Sequence, residues 1–152
     1  LFGDAATVTY IGEAPIFSSG RFTFGTQGKE HAALICRNGI LNMNGRSVFN
    51  FSASTIPDDI KKALKLNALQ IDEIDYFLIH PGSKYILDFI KKRLHLPNEK
   101  TPFKAQRYGN TVSSSIPLLL ENVLADKSAN KVLITGFGVG LSWSTTVLFR
   151  QH

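Results

Sequence analysis

Residues 74–83 read Ile74-Asp75-Tyr76-Phe77-Leu78-Ile79-His80-Pro81-Gly82-Ser83. A run of apolar, β-forming residues ends at a Pro-Gly turn, which predicts a buried strand over 74–79 that stops at His80. The period then changes. Ile86, Leu87, Ile90 and Leu94 recur at three- and four-residue spacing, which predicts a helix over 83–95 with these residues on its inner face, closed by Pro97. A buried strand feeding directly into an amphipathic helix is the repeating unit of layered α/β folds.

The same alternation extends in both directions. Upstream, residues 6–11 and 21–24 predict two strands, and 25–45 a long connection with little periodicity. From Ser47 a helix follows, with Phe49, Ala53, Ile56, Ile60, Ala63 and Leu64 on its apolar stripe and Pro57 expected to kink or split it. Downstream, 102–106 predict a strand. The turn Arg107-Tyr108-Gly109-Asn110-Thr111 then opens a third helix, whose stripe is Val112, Ile116, Leu119, Leu120 and Val123. Ser113, Ser114 and Ser115 read as small residues for close packing. Strands over 131–135 and 143–149 flank the glycine-rich Gly136-Phe137-Gly138-Val139-Gly140, and so short a link makes the last two an antiparallel hairpin. The order β–β–α–β–α–β–α–β–β predicts an α/β fold with a mainly parallel sheet covered by helices.

Composition narrows the function classes. The chain has 152 residues, 43% hydrophobic and 19% charged, too apolar and too lightly charged for a disordered tail and long enough to bury one core. Its apolar runs fall far short of the roughly 20 residues that span a bilayer. No basic-plus-apolar leader is visible, so a cytoplasmic location is expected. The chain opens at Leu1 on a β-rich run rather than on a methionine, so it is expected to be a piece of a longer protein. The single cysteine excludes a disulfide framework or a cysteine zinc cage. His31, His80, His95 and His152 show no metal-ligand spacing, and no metal site is expected.

The formal net charge is +5, and residues 84–107 hold all of it: seven basic residues against Asp88 and Glu99. Read blandly, this is a solvated helix face, and the Lys91-Lys92-Arg93 run at a helix C-terminus complements the helix dipole. Read sharply, it is a docking patch for an anionic partner around the mouth of a site. Nucleic acid is not the partner expected, because aromatics among these bases are few and no nucleic-acid motif is present.

Three segments share a position type, each just after a predicted strand: His80-Pro81-Gly82-Ser83, Gly109-Asn110-Thr111 and Gly136 to Gly140. In open α/β sheets that edge gathers ligands. Each signal has a plain structural alternative: a turn-stabilising histidine, a helix N-cap, a hairpin turn. The glycine-rich loop lacks the Gly-Lys-Ser/Thr of a phosphate-binding loop, and a strand follows it where a dinucleotide fingerprint needs a helix. Cys36 lies in the irregular connection with no helix terminus to activate it, and reads as an incidental thiol.

Taken together, these segments resemble the C-terminal half of the ketoacyl-acyl-carrier-protein synthase III family, which are thiolase-fold condensing enzymes. The resemblance runs through Leu1-Phe2-Gly3-Asp4-Ala5-Ala6, Met43 to Phe49, Ile74 to His80, Arg107 to Pro117 and Gly136 to Trp143. It implies a thiolase-like layered fold with a mixed five-stranded sheet, residues 1–14 being the last strand of an N-terminal half and 15–152 the C-terminal domain. It also implies a decarboxylative Claisen condensation of an acyl group with a malonyl-carrier thioester, through a Cys-His-Asn triad. Here His80 and Asn110 are the His and Asn, two donors aimed at the developing enolate charge. Phe137, Gly138, Val139 and Gly140 form the oxyanion loop. Lys92 and Arg93 are the basic pair that meets acyl carrier protein.

No permanently bound cofactor is implied; acyl-CoA and phosphopantetheine thioesters are substrates, and a homodimer is implied for the whole enzyme. The sequence departs from the family at Ser83, where an Asn of the active-site network is usual, at Tyr85, where a docking arginine is usual, and at Val139, where a glycine is usual. Cys36 does not align with the family nucleophile, so the chain alone is expected to be inactive. These departures motivate the alternative of a non-catalytic module that binds carrier protein. His80-Pro81-Gly82 is similar to the motif of type III polyketide synthases, a further alternative.

Overall fold

The computed structural model describes residues 2–151. Leu1 and His152, named above in the opening motif and the histidine survey, lie outside them. The expected strand over 74–79 is present as Tyr76–Ile79 (β5), and its side chains alternate between two cores. Phe77 and Ile79 face one core and Leu78 the other. The first core is closed by helices Gly45–Leu66 (α1) and Lys84–Leu94 (α2), through Ile56, Ile60, Leu87 and Ile90, all at most 1% exposed. The second is closed by helix Ser115–Ala125 (α4) through Leu119 and Val123. A short helix, Ala105–Tyr108 (α3), precedes α4.

The sheet has five strands. Lys131–Gly138 (β6) pairs in parallel with β5, and Ser142–Arg150 (β7) pairs antiparallel with β6. Phe17–Ser19 (β1) and Thr23–Thr26 (β2) share the far edge, both antiparallel to β7. The mixed five-stranded sheet and the terminal hairpin stand. The expectation of a mainly parallel sheet does not, since β5 and β6 form the one parallel pair among the described strands. The reason is connectivity: α2, α3 and α4 lie in the one crossover that returns the chain in the same direction, whereas β7 follows β6 by a tight turn.

Four other expectations are corrected. Residues 6–11 form no strand; Val8, Tyr10 and Ile11 are at least 90% exposed. β-Structure needs a neighbouring ladder, and this segment has instead a side-chain contact, Thr7 Oγ1 to Ser114 Oγ at 3.3 Å, with Gly3 N–H bonded to the Asn110 carbonyl at 3.1 Å just before it. Residues 102–106 are not a strand either. The chain offers β5 one bond, from Phe77 N–H to the Lys100 carbonyl, and then turns into α3; Pro102 has no N–H to extend a ladder.

The 25–45 connection, expected to be irregular, contains regular elements. A 3₁₀ segment, Gly28–Ala33, leads into a hairpin of Leu34–Arg37 (β3) and Ile40–Met43 (β4). Its two-residue turn, Asn38-Gly39, has both φ angles positive (52° and 76°), a geometry this dipeptide favours. Finally, Pro57 neither splits nor ends α1, which runs unbroken for 22 residues. Tertiary packing outweighs the lost N–H, because Ile56 and Ile60 on either side are fully buried. Asn44 caps the helix start, its Oδ1 accepting from Ser47 N–H, and Asn67 clamps its end to Arg21 with bonds of 2.7 and 2.9 Å.

Candidate active site

The site is built from the ends of three segments. His80 lies where β5 ends, its backbone N–H still bonded to the Thr135 carbonyl of β6 at 2.9 Å. Asn110 follows α3 and is held from behind: the Val112 N–H donates to its Oδ1 at 2.9 Å. This is an Asx turn, and it differs from a regular helix cap because a 3₁₀ turn, Val112–Ser114, intervenes before α4. With Oδ1 accepting from Val112 N–H, the amide Nδ2 is the donor Asn110 can offer a ligand. The glycine-rich segment is partly strand: Gly136, Phe137 and Gly138 belong to β6, and the turn falls beyond them.

These segments converge on one open cavity of about 980 Å³, lined by His80, Asn110, Ser83, Phe137, Gly138 and Val139 among others. Gly140 does not line it. The lining is largely apolar, and Phe2, Leu41, Met43 and Tyr85 contribute to it. Phe137 packs edge-on against the His80 ring at 5.5 Å between centroids. Burial among these groups pushes the His80 pKa down to about 4, so the imidazole is neutral at pH 7. Its Nδ1 lies 2.7 Å from the hydroxyl of Ser115, and that hydroxyl also lies 2.7 Å from the Val112 carbonyl, to which it donates.

Ser83 caps α2, its hydroxyl accepting from Ile86 N–H at 3.3 Å. Lys92 and Arg93 lie in the last turn of α2, away from the cavity; Arg93 sits 3.8 Å from Asp58. The expectation that the basic segment rings the cavity mouth is corrected. Among the described residues Arg46 is the one Lys or Arg lining the cavity. Two cations of the segment serve the fold instead: Lys100 Nζ donates to the Ile74 carbonyl and Lys104 Nζ to the Leu118 carbonyl, each at 2.7 Å. Cys36 is exposed on β3 and does not line the cavity.

Sequence reasoning missed Ser115 as a site residue. Read along the chain it is one of three adjacent serines; its meaning comes from a contact with a residue 35 positions away. It also missed Arg46 and Trp143, whose place in the lining depends on the unforeseen β3–β4 hairpin and on the register of β7.

A neutral histidine and an asparagine amide facing an apolar cavity, on a mixed sheet covered by helices on both faces, define a thiolase-like α/β unit. Residues 64–149 match the family described as 3-oxoacyl-[acyl-carrier-protein (ACP)] synthase III C terminal, and the chain belongs to that family. A β-ketoacyl-[acyl-carrier-protein] synthase III of Porphyra umbilicalis is 33% identical over 99% of this chain and 53% of its own length. One of Streptococcus gordonii is 37% identical over 71% of this chain and 35% of its own length. The crystal structure of the synthase III of Thermus thermophilus superposes with a TM-score of 0.81 at 30% identity, over 95% of this chain and 49% of that one. The chain thus spans about half or less of the length of the relatives it matches. These matches do not favour the type III polyketide synthase alternative raised by His80-Pro81-Gly82.

Proposed function

We propose that this chain is the C-terminal half of a condensing acyltransferase that joins an acyl group to a malonyl-carrier thioester with loss of CO₂. The observation that carries the reading is the convergence of neutral His80 and the free amide of Asn110 on the apolar cavity. Decarboxylation breaks the bond between the carboxylate and the α-carbon, and its electron pair passes into an enolate whose oxygen becomes negative. Two hydrogen-bond donors preset around that oxygen stabilise the charge without reorganisation, and the largely apolar lining strengthens them. His80 Nε2–H and Asn110 Nδ2–H are the donors. The enolate carbon then attacks an acyl thioester, and its thiolate leaves.

The thiolate comes from a cysteine outside this chain, in the N-terminal half of the enzyme, with residues 1–14 belonging to that half and 15–152 to the C-terminal domain. Cys36 is not the nucleophile, because it lies outside the cavity. The backbone of Phe137 to Gly140 belongs to the second oxyanion hole, acyl-CoA and phosphopantetheine thioesters are the substrates, and no resident cofactor is required. Lys92 and Arg93 dock acidic acyl carrier protein, the intact enzyme is a homodimer, and its location is cytoplasmic. Among the described residues no helix is long and apolar enough to cross a membrane.

The test is malonyl-thioester decarboxylation by the intact enzyme carrying His80→Ala. The rate is expected to fall by about 100-fold or more; an unchanged rate overturns the role given to His80. A second reading, a carrier-binding module without chemistry, draws on Val139, a bulky residue 65% exposed in the loop where the family has glycine. Mass spectrometry of the intact enzyme with acyl-CoA separates the two, since a covalent acyl-enzyme removes the second.

A further inference from the structure

We propose that acyl carrier protein docks in the cleft between the C-terminal ends of α1 and α2, with Lys61 and Lys65 of α1 as docking residues beside Arg93. The identity of the partner rests on the condensing-enzyme reading; the character of the cleft does not. The cleft has a volume of about 890 Å³, and Lys61, Lys65, Arg93 and His95 wall it, all four exposed. Lys61 and Lys65 are one helical turn apart and so share one face of α1. Leu64, Leu69 and Leu94, at most 8% exposed, close the floor. An apolar floor inside a cationic rim is the layout of a protein-binding surface, and the sign of the rim selects an acidic partner with an apolar residue at its centre. A small anion would have no use for the floor.

Little within the chain uses up this charge. Asp58, Asp72 and Glu73, on the adjoining segments, do not line the cleft. Among the described residues Lys61 and Lys65 have no carboxylate within ion-pair distance, and Arg93 has the exposed Asp58 at 3.8 Å, a solvent-screened contact. The helix ends do not claim the cations either. Ala68 N–H bonds to the Lys65 carbonyl at 3.1 Å, Leu69 N–H to that of Leu64 at 3.0 Å and Leu96 N–H to that of Lys91 at 2.9 Å, so the backbone itself meets these last carbonyls. Both helices leave through a left-handed residue, Ala68 and His95, each with φ of 55°. Glycine would make these turns with less strain; the histidine adds an imidazole to the cleft wall.

The place of the cleft suits delivery to the site. The N-terminal end of α2 puts Ser83, Tyr85 and Ile86 on the cavity that holds His80, and its C-terminal end puts Arg93 and Leu94 on the cleft. From Tyr85 to Leu94 the helix rises about 14 Å. A phosphopantetheine arm runs about fourteen atoms from phosphorus to sulfur, the backbone length of between four and five residues, and extends about 15 Å. A carrier seated on the cleft and reaching along α2 thus brings its thioester to the cavity mouth without needing cations there, where Arg46 is the one Lys or Arg among the described lining residues.

Titration of the intact enzyme with holo acyl carrier protein at low salt tests the proposal. Lys61→Glu with Lys65→Glu is expected to weaken binding by about tenfold or more and to flatten its salt dependence. Lys29→Glu with Lys127→Glu, the same charge change on exposed lysines away from the cleft, is expected to leave the affinity within about twofold of native. Lys61→Gln with Lys65→Gln keeps the helix propensity, serves where the charge reversal perturbs folding, and is expected to weaken binding by about threefold. Native affinity in a folded Lys61 and Lys65 double variant overturns the proposal, and so does equal weakening by the Lys29 and Lys127 pair, which would assign the effect to net charge alone. Displacement of the carrier by millimolar inorganic phosphate at constant ionic strength overturns it too, since the cleft would then be a small-anion site. The His80→Ala decarboxylation test does not pass through the cleft, so its failure would remove the chemistry and leave the docking measurement standing.

Discussion

His80 couples the site to the stability of the fold. Its ordinary pKa is 6.5 and burial brings it to about 4 in the folded chain. Above pH 6.5 both folded and unfolded chains hold it neutral, and it contributes no pH dependence. Between pH 6.5 and 4 the unfolded chain binds a proton that the folded chain refuses, so stability falls as the pH falls through that window. The full shift corresponds to a loss on the order of 3 kcal/mol. In His80→Gln that component disappears. Urea unfolding at pH 7 and pH 4.5 is expected to show a smaller acid loss in the variant than in the native protein; equal losses would place the acid sensitivity elsewhere. The place of His80 at the end of a strand was legible from the apolar run and Pro-Gly turn that bracket it. Its neutrality was not, because burial is a property of Phe137 and the other groups around it.

Helix α2 shows how one element serves both fold and site. Ser83 stands at its N-cap and Lys91, Lys92 and Arg93 in its last turn, so both ends are matched to the helix dipole. Replacing Ser83 by alanine removes the bond to Ile86 N–H and is expected to lower stability by about 1 kcal/mol. Chemical denaturation checks this. An unchanged midpoint would mean that the residue matters through the cavity it lines rather than through the cap. The helix was readable because its apolar spacing is local and strong. The β3–β4 hairpin has little alternation to read, because its strands are four residues each and mostly exposed. Asn38-Gly39 was the available signal, since few other dipeptides tolerate two successive positive φ values.

On the scale of the whole molecule, the distribution of apolar surface sets the association behaviour. Val8, Tyr10 and Ile11 are at least 90% exposed, and Phe24, Ile40 and Val139 are 65–72% exposed. So much exposed apolar surface favours self-association. Sedimentation velocity is expected to show a weight-average mass that rises with concentration, and Tyr10→Ser with Ile11→Lys to reduce the rise. A monomer across the whole range counts against this. If Lys92 and Arg93 dock acidic carrier protein, Lys92→Glu is expected to weaken binding at low salt and flatten its salt dependence, because exposed charges act over a screened distance. Titration at two ionic strengths reads both effects. The sequence by itself determined the elements whose patterns are local: β5 and α2 from their periods, the closing hairpin from its short link, and the turns on which His80 and Asn110 stand. Tertiary structure alone decided three things: that residues 6–11 find no strand partner, that most of the sheet is antiparallel, and that Ser115 reaches back 35 residues to His80. The physical reason is common to all three. Local periodicity records which side of a segment is buried, whereas ladder partners and hydrogen-bond networks depend on which distant segment arrives opposite.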